Sequence, residues 1–263
     1  MTDTTERWAL ILGASSGFGE AAALALAAAG YDIFGVHLDR RAGLEHVEEI
    51  VSQIEGLGRQ ARFFNINAAD AEKRAEAIEA MKEAADGAPV RVLLHSLAFG
   101  TLKPFVADKE ADALGQRQME MTLDVMANSL VYWAQDVHRT GLFAAGSKIY
   151  AMTSAGDRVV WKAYGAVSAA KSALESHIRQ LAVELAPDGV TANAIKAGVT
   201  DTPALRKIPG NEALIESAQA RNPSGRLTTP EDVARCLVAL SGEGTEWMTG
   251  NVIQVDGGED IAG

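Results

Sequence analysis

A short apolar run, Trp8-Ala-Leu-Ile-Leu12, passes at once into Gly13-Ala-Ser15-Ser16-Gly17-Phe18-Gly19 and then into an alanine-rich stretch ending at Ala29. That order reads as strand, glycine turn, helix. Glycines let a backbone turn tightly and approach a diphosphate, which then rests on the free amides and the positive dipole end of the helix. A glycine-rich turn alone also punctuates ordinary loops. Its place at the first strand-to-helix junction is what constrains this chain toward a dinucleotide-binding α/β sheet.

The alternation continues to the end of the chain. Strands are expected over Ile33–Leu38, Ala61–Asn65, Val90–His95, Ser147–Thr153, Thr191–Ile195 and Val252–Val255. Helices are expected over 42–57, 71–85, 119–138 and 164–186, with another opening at Thr229-Pro-Glu-Asp. Strands separated by helices of this length pair in parallel through right-handed crossovers. The fold class is therefore α/β, a doubly wound parallel sheet with helices on both faces. With 263 residues, 48% of them hydrophobic, the chain reads as a single domain over 1–263, and 198–222 reads as a substrate loop or lid within it. Ligands of such sheets bind beyond the carboxyl ends of the strands, and Gly17, Ser96, Ser154 and Gly198 all fall at that edge.

Composition removes several classes of function. A net charge of −11 leaves no clustered Lys and Arg to neutralise phosphates, so no nucleic acid is expected. No segment reaches the length of a membrane span, and the polar opening MTDTTER carries no evident address, which makes the cytoplasm the expected setting. The single cysteine, Cys236, forms no intrachain disulfide. His46, His138 and His177 lack a carboxylate or cysteine at ligand spacing, so no metal site is expected.

Chemistry concentrates between the fifth strand and the helix after it. Tyr164 and Lys171 lie seven positions apart, close to two helical turns, so both face one side. An ammonium held near a phenol favours the phenolate, which is expected to lower the Tyr164 pKa and make it a better proton donor. Ser154, at the end of the fifth strand, is placed to bond the same oxygen. Tyr and Lys also share faces of inert helices, so the pair gains meaning only from the glycine turn and the sheet edge.

Those features together resemble the short-chain dehydrogenase/reductase family over essentially the whole chain. The turn at Gly13–Gly19 is similar to its cofactor turn, and Pro230-Glu-Asp-Val233 with Gly250-Asn-Val-Ile-Gln-Val-Asp-Gly-Gly258 to its C-terminal signature. Ordinary members carry the tyrosine four residues before the lysine, where this chain has Val167. They carry Asn-Asn-Ala-Gly after the fourth strand, where it has His95-Ser-Leu-Ala98, and an asparagine where it has Met126. A Tyr-x6-Lys spacing with His-Ser-Leu-Ala-Phe is similar to the bacterial enoyl-acyl-carrier-protein reductases. Ser154 stands where that branch often has a second tyrosine, and either supports Tyr164 or is a relic of a ketone-reducing ancestor.

The resemblance implies hydride transfer from a nicotinamide to C3 of an enoyl thioester, with Tyr164 meeting the enolate oxygen and Lys171 holding the nicotinamide ribose. It implies that Asn67 and Ala68 flank the adenine, that Ser96, Leu97 and Ala98 floor the ribose and nicotinamide, and that Thr200 meets the carboxamide. Thr202 would reach the pyrophosphate, and Gly198 opens that loop. Phe99, Leu102, Phe105, Leu205, Ile208, Leu214 and Ile215, with Met119, Met121 and Met126, are candidates to cover an acyl chain. An acyl carrier protein is the implied partner and a homotetramer the implied assembly. A carbonyl, 3-ketoacyl or alcohol dehydrogenase chemistry using Ser154 and Tyr164 stays open, as does a dinucleotide sensor without turnover. On cofactor choice, the position that is acidic in NAD-preferring members falls on His37. Arg40 and Arg41 are then available to a 2′-phosphate, with Asp39 opposing them, and the balance tips slightly to NADPH.

Overall fold

The structure is a computed structural model that describes residues 7–157 and 160–262. Residues 1–6, which hold most of the opening read above as carrying no address, lie outside the described residues. Seven strands form one parallel sheet: β1 (Trp8–Leu12), β2 (Asp32–His37), β3 (Ala61–Asn65), β4 (Val90–His95), β5 (Lys148–Thr153), β6 (Thr191–Ala197) and β7 (Val252–Val255). Their order is β3-β2-β1-β4-β5-β6-β7. Chain direction across the sheet reverses between β1 and β4, the crevice where doubly wound sheets take ligands.

Strand periodicity divides the core. Along β1, Trp8, Leu10 and Leu12 enter one buried cluster while Ala9 and Ile11 enter the other, as a two-residue repeat with both faces covered demands. One face is covered by α1 (Gly17–Ala28), α2 (Leu44–Gly56) and α8 (Pro230–Leu240). The other is covered by α3 (Ala71–Ala85), α5 (Ser129–Arg139) and α6 (Gly165–Glu184). Each large side chain taken from water here contributes about 1.5–3 kcal/mol. Local chemistry fixes the helix starts: Asp70 accepts from the amides of Glu72 and Lys73, and Thr229 forms a capping box with Asp232 before Pro230. No helix among the described residues is long and apolar enough to cross a membrane.

Several expected bounds shift: β5 starts at Lys148, β6 runs on to Ala197, and the helices expected over 42–57 and 164–186 span Leu44–Gly56 and Gly165–Glu184. Strand β2 ends at His37 rather than Leu38, whose side chain is exposed. The helix expected over 119–138 is a composite of α4 (Gln116–Leu123), a π-helical turn over Asp124–Asn128, and α5. The wide turn is held by side chains: Ser129 Oγ donates to the Val125 carbonyl at 2.8 Å and meets His95 Nε2 at 2.9 Å. In the 198–222 segment the chain forms a short 3-10 turn at Leu205–Lys207 and helix α7 (Asn211–Arg221).

The first glycine turn shows why its residues are small. A Cβ on Gly19 would lie 2.0 Å from the Gly13 carbonyl oxygen, so α1 can sit on β1 only without it. Gly19→Ala is therefore expected to cost about 1–3 kcal/mol through forced displacement of the helix. A urea midpoint equal to that of the wild type would contradict this.

Candidate active site

A cavity of about 500 Å³ opens at the carboxyl edge of the sheet and runs from the glycine turn to the apolar side of the 198–222 segment. At one end Gly13 adopts φ +96°, and a Cβ there would strike the Ser96 carbonyl oxygen at 2.4 Å. Gly17 has φ +57° and faces Thr202, whose Cγ2 would lie 3.5 Å from an added Cβ. The turn thus presents bare backbone at the N-terminus of α1, beside a hydroxyl-bearing loop. The Ser16 side chain makes no capping bond to that helix. These residues fit a dinucleotide diphosphate: Gly13 and Gly17 carry no side chain where they line the cavity at the start of α1.

Gly13, Ser15, Ser16, Gly17, Phe18, His37, Asn67, Ala68, Ser96, Leu97, Ala98, Ser154, Tyr164, Lys171, Gly198, Thr200 and Thr202 all line this one cavity. Three other expected residues lie outside the lining. Gly19 serves the close contact with Gly13 instead. Arg40 and Arg41 are exposed and lie outside the lining, because the chain leaves β2 and turns into a 3-10 turn at Arg41–Gly43. Asn67 also keeps a local task, its Oδ1 accepting from the Ala69 amide at 3.1 Å in the turn before α3.

Tyr164 is the residue just before α6, its carbonyl accepting the Ser168 amide at 2.9 Å. Ala163 before it has φ +66°, an uncommon conformation for a residue with a Cβ, which aims the chain into the helix. Burial raises the phenol pKa, and the nearby Ser154 hydroxyl pulls it back. That approach is close but falls short of a formed hydrogen bond, since Ser154 Oγ is buried without a partner of ordinary geometry. Gly156 leaves room for both groups: a Cβ there would meet Tyr164 Cε1 at 2.5 Å and Ser154 Oγ at 3.2 Å.

Lys171 does not play the part the spacing implied. Its Nζ donates to the Met152 carbonyl at 2.8 Å, and burial lowers its pKa to about 8, with the Glu175 carboxylate opposing. The phenol is governed by burial and Ser154 rather than by this ammonium. Its pKa therefore shifts up, opposite to the direction expected from sequence. A raised pKa keeps Tyr164 protonated at neutral pH, the state a donor requires.

Beyond Tyr164 the wall is apolar: Phe99, Leu102, Met121, Met126, Leu205, Ile208 and Leu214 line it. Phe105, Ile215 and Met119 do not; Phe105 packs its ring where a Cβ on Gly165 would stand. Sequence reading missed Trp161, Lys196 and Glu259 in the lining. A lysine inside the fully buried β6 was the available signal for Lys196.

His95 is fully buried and held neutral, its pKa lowered to about 3 by burial and by Lys171. It braces the π turn through Ser129, as a packing role predicts.

With this geometry in hand, the chain matches along residues 13–259 a protein family described as enoyl-(acyl carrier protein) reductase. The chain belongs to the short-chain dehydrogenase/reductase family. It is 32% identical over 251 residues to a 3-oxoacyl-[acyl-carrier-protein] reductase of Aggregatibacter actinomycetemcomitans, covering 95% of this chain and 97% of that one. It is 29% identical over 262 residues to 1-cyclohexenylcarbonyl-CoA reductase of Streptomyces collinus, covering 96% and 86%. Among solved structures it resembles the enoyl-[acyl-carrier-protein] reductase (NADH) of Aquifex aeolicus, with a TM-score of 0.83, 25% identity, and coverage of 98% and 97%. As a member of this family, the protein is an oxidoreductase that uses a nicotinamide dinucleotide.

Proposed function

We propose that this short-chain reductase saturates the 2,3 double bond of an enoyl thioester, with the acyl group on an acyl carrier protein or coenzyme A. The observation that carries the reading is the position of the proton donor. Tyr164 stands at the mouth of α6, two turns from Lys171, and the position one turn nearer is Val167, which has no proton to give. Ketone reduction puts hydride and proton on neighbouring atoms. Conjugate reduction puts hydride on C3 and charge on the thioester oxygen, further from the nicotinamide. A donor moved one turn outward suits the second oxygen, and the apolar wall beside it suits an acyl chain.

The nicotinamide, when bound, supplies the hydride. The protein's part is to hold and to polarise. The glycine turn and Thr202 would seat the diphosphate, and Lys171 would meet the ribose hydroxyls and place a positive charge beside the developing enolate. Tyr164 O–H donates to the thioester oxygen, and Ser154 Oγ, short of a bond of its own, is positioned to accept from or donate to that phenol. Arg40 and Arg41, on which the expected preference for NADPH rests, are exposed and stand outside the cavity lining. In this reading the protein works as a homotetramer built through α4, α5 and α6.

A second reading, reduction of a 3-ketoacyl group, is favoured by one observation: the Ser154 hydroxyl sits beside the phenol, as a pair of donors to one carbonyl oxygen would. Rates with crotonyl and acetoacetyl thioesters separate the two. The expected result is a kcat/KM at least about tenfold higher for crotonyl thioester, a difference of roughly 1.4 kcal/mol in barrier. The reverse ratio would make the protein a ketoacyl reductase.

A further inference from the structure

The 198–222 segment is held near both of its ends by one carboxylate that the proposed chemistry leaves unused. After β7 the chain turns at Asp256, whose own carboxylate accepts from the Gly258 amide at 2.9 Å and from the Asp260 amide at 3.0 Å. That turn brings Glu259 into the cavity lining, 7% exposed. Its Oε2 accepts from the Val199 amide at 3.0 Å, and its Oε1 stands 3.6 Å from the guanidinium of Arg221, the last residue of α7. Gly198 leaves room for this approach, since a Cβ there would come within 2.8 Å of Glu259 Oε2.

A buried carboxylate is costly unless it is paired, so Glu259 and its two partners are fixed together. Burial raises its pKa, the Val199 amide and Arg221 pull it back, and Asp256 and Asp260 add to the rise. The two contacts hold different things. Val199 leads into Thr200, whose hydroxyl donates to the Gly198 carbonyl at 3.0 Å, and then into Thr202, which faces Gly17 of the glycine turn. That is the cofactor end of the segment. Arg221 closes α7, whose Leu214 belongs to the apolar wall. Asn222, one residue on, is tied to the same turn, its Nδ2 donating to the Asp256 carbonyl at 2.9 Å.

We propose that Glu259 is a positioning residue that sets both halves of the site at once: Oε2 fixes the loop that meets the cofactor, and Oε1 fixes the end of the helix that carries part of the apolar wall. The inference rests on the nicotinamide-cofactor class alone and holds whichever thioester is reduced.

Glutamine separates the two contacts, because its amide oxygen still accepts from Val199 while the charge facing Arg221 is gone. Alanine removes both. Hydrogen exchange read by mass spectrometry on the cofactor-free protein reports on each end of the segment. Nicotinamide fluorescence reports the affinity for whichever of NADH and NADPH the wild type binds more tightly. In Glu259→Ala, exchange is expected to quicken severalfold over both 198–204 and 211–221, and cofactor affinity to fall about tenfold. In Glu259→Gln, exchange should quicken over 211–221 only, with cofactor affinity within about twofold of the wild type. Wild-type affinity in a folded Glu259→Ala protein, or exchange unmoved at either end, would overturn the proposal. An equal loss of affinity in the alanine and glutamine variants would overturn it too, by making the effect one of charge or of stability. Should alanine prevent folding, unchanged exchange over 211–221 in Glu259→Gln decides against it alone. Binding of neither cofactor by the wild type would strike at the cofactor class, a distinct failure, and the exchange pattern would still decide whether Glu259 ties the segment.

Discussion

Tyr164→Phe is expected to lower kcat for an enoyl thioester by roughly 10²-fold or more, within the range of a general acid's contribution, while cofactor affinity stays within a few fold. The ring is packed against the main core beside the cavity, so phenylalanine fills the same space and the fold is unaffected. What disappears is one O–H aimed at the oxygen where charge develops. An interaction made only in the transition state costs kcat and kcat/KM alike. KM for the thioester should therefore move little. Because Ser154 Oγ is buried without a regular partner, it is the natural reserve donor. The residual rate of Tyr164→Phe should accordingly fall again in the double variant with Ser154→Ala. Full activity in Tyr164→Phe would remove the phenol from the chemistry and leave Ser154 or solvent as the proton source.

Much of this site could be read from residue order, and the reason is geometric. Strands β3, β4 and β7 have the ends their sequences imply, because each is a short apolar or alternating run stopped by polar turn residues. Parallel pairing then brings every strand's carboxyl end to one edge, so Gly13, Ser96, Ser154 and Gly198 converge although up to 185 residues separate them. Seven-residue spacing likewise puts Tyr164 and Lys171 on one wall.

Spacing along a helix carries no information about depth, and here it misleads. Lys171 is buried and turned onto the Met152 carbonyl, and Tyr164 is set by its own desolvation, so the two shifts run opposite to what proximity alone suggests. Arg40 and Arg41 follow the strand by only a few residues, yet both are exposed at the 3-10 turn and stand outside the cavity lining. The π turn at Asp124–Asn128 has no signature in residue type. It depends on Ser129 and on His95, which comes from another strand. In sequence Asp39 shows only as a charge opposing Arg40 and Arg41; its contact with His37 depends on Asn65, which bonds both the amide and the carbonyl of Asp39 from another strand.

Replacing Lys171 by methionine is expected to weaken cofactor binding and to cut kcat/KM by roughly 10²-fold or more, since the proposed mechanism places its charge beside the developing enolate. Stability should move the other way, with a pH signature. The Lys171 pKa falls from its ordinary 10.5 to about 8 on folding, because burial penalises the ammonium. Between those two values the unfolded chain holds a proton that the folded chain has released, so the wild type gains stability as pH rises. Below pH 8 both states are protonated and the full penalty stands, on the order of 3 kcal/mol. The methionine variant escapes that penalty, losing only the hydrogen bond to Met152, about 1 kcal/mol at any pH. Measured by urea unfolding without cofactor, the variant should therefore be the more stable protein at pH 7, and its advantage should shrink steadily from pH 8 to 10. Wild-type affinity for the cofactor should decline over the same interval as the ammonium is lost, and the variant's should stay flat. A stability difference independent of pH would mean that Lys171 keeps its charge at little cost, and that its carbonyl partner and Glu175 solvate it as well as water does.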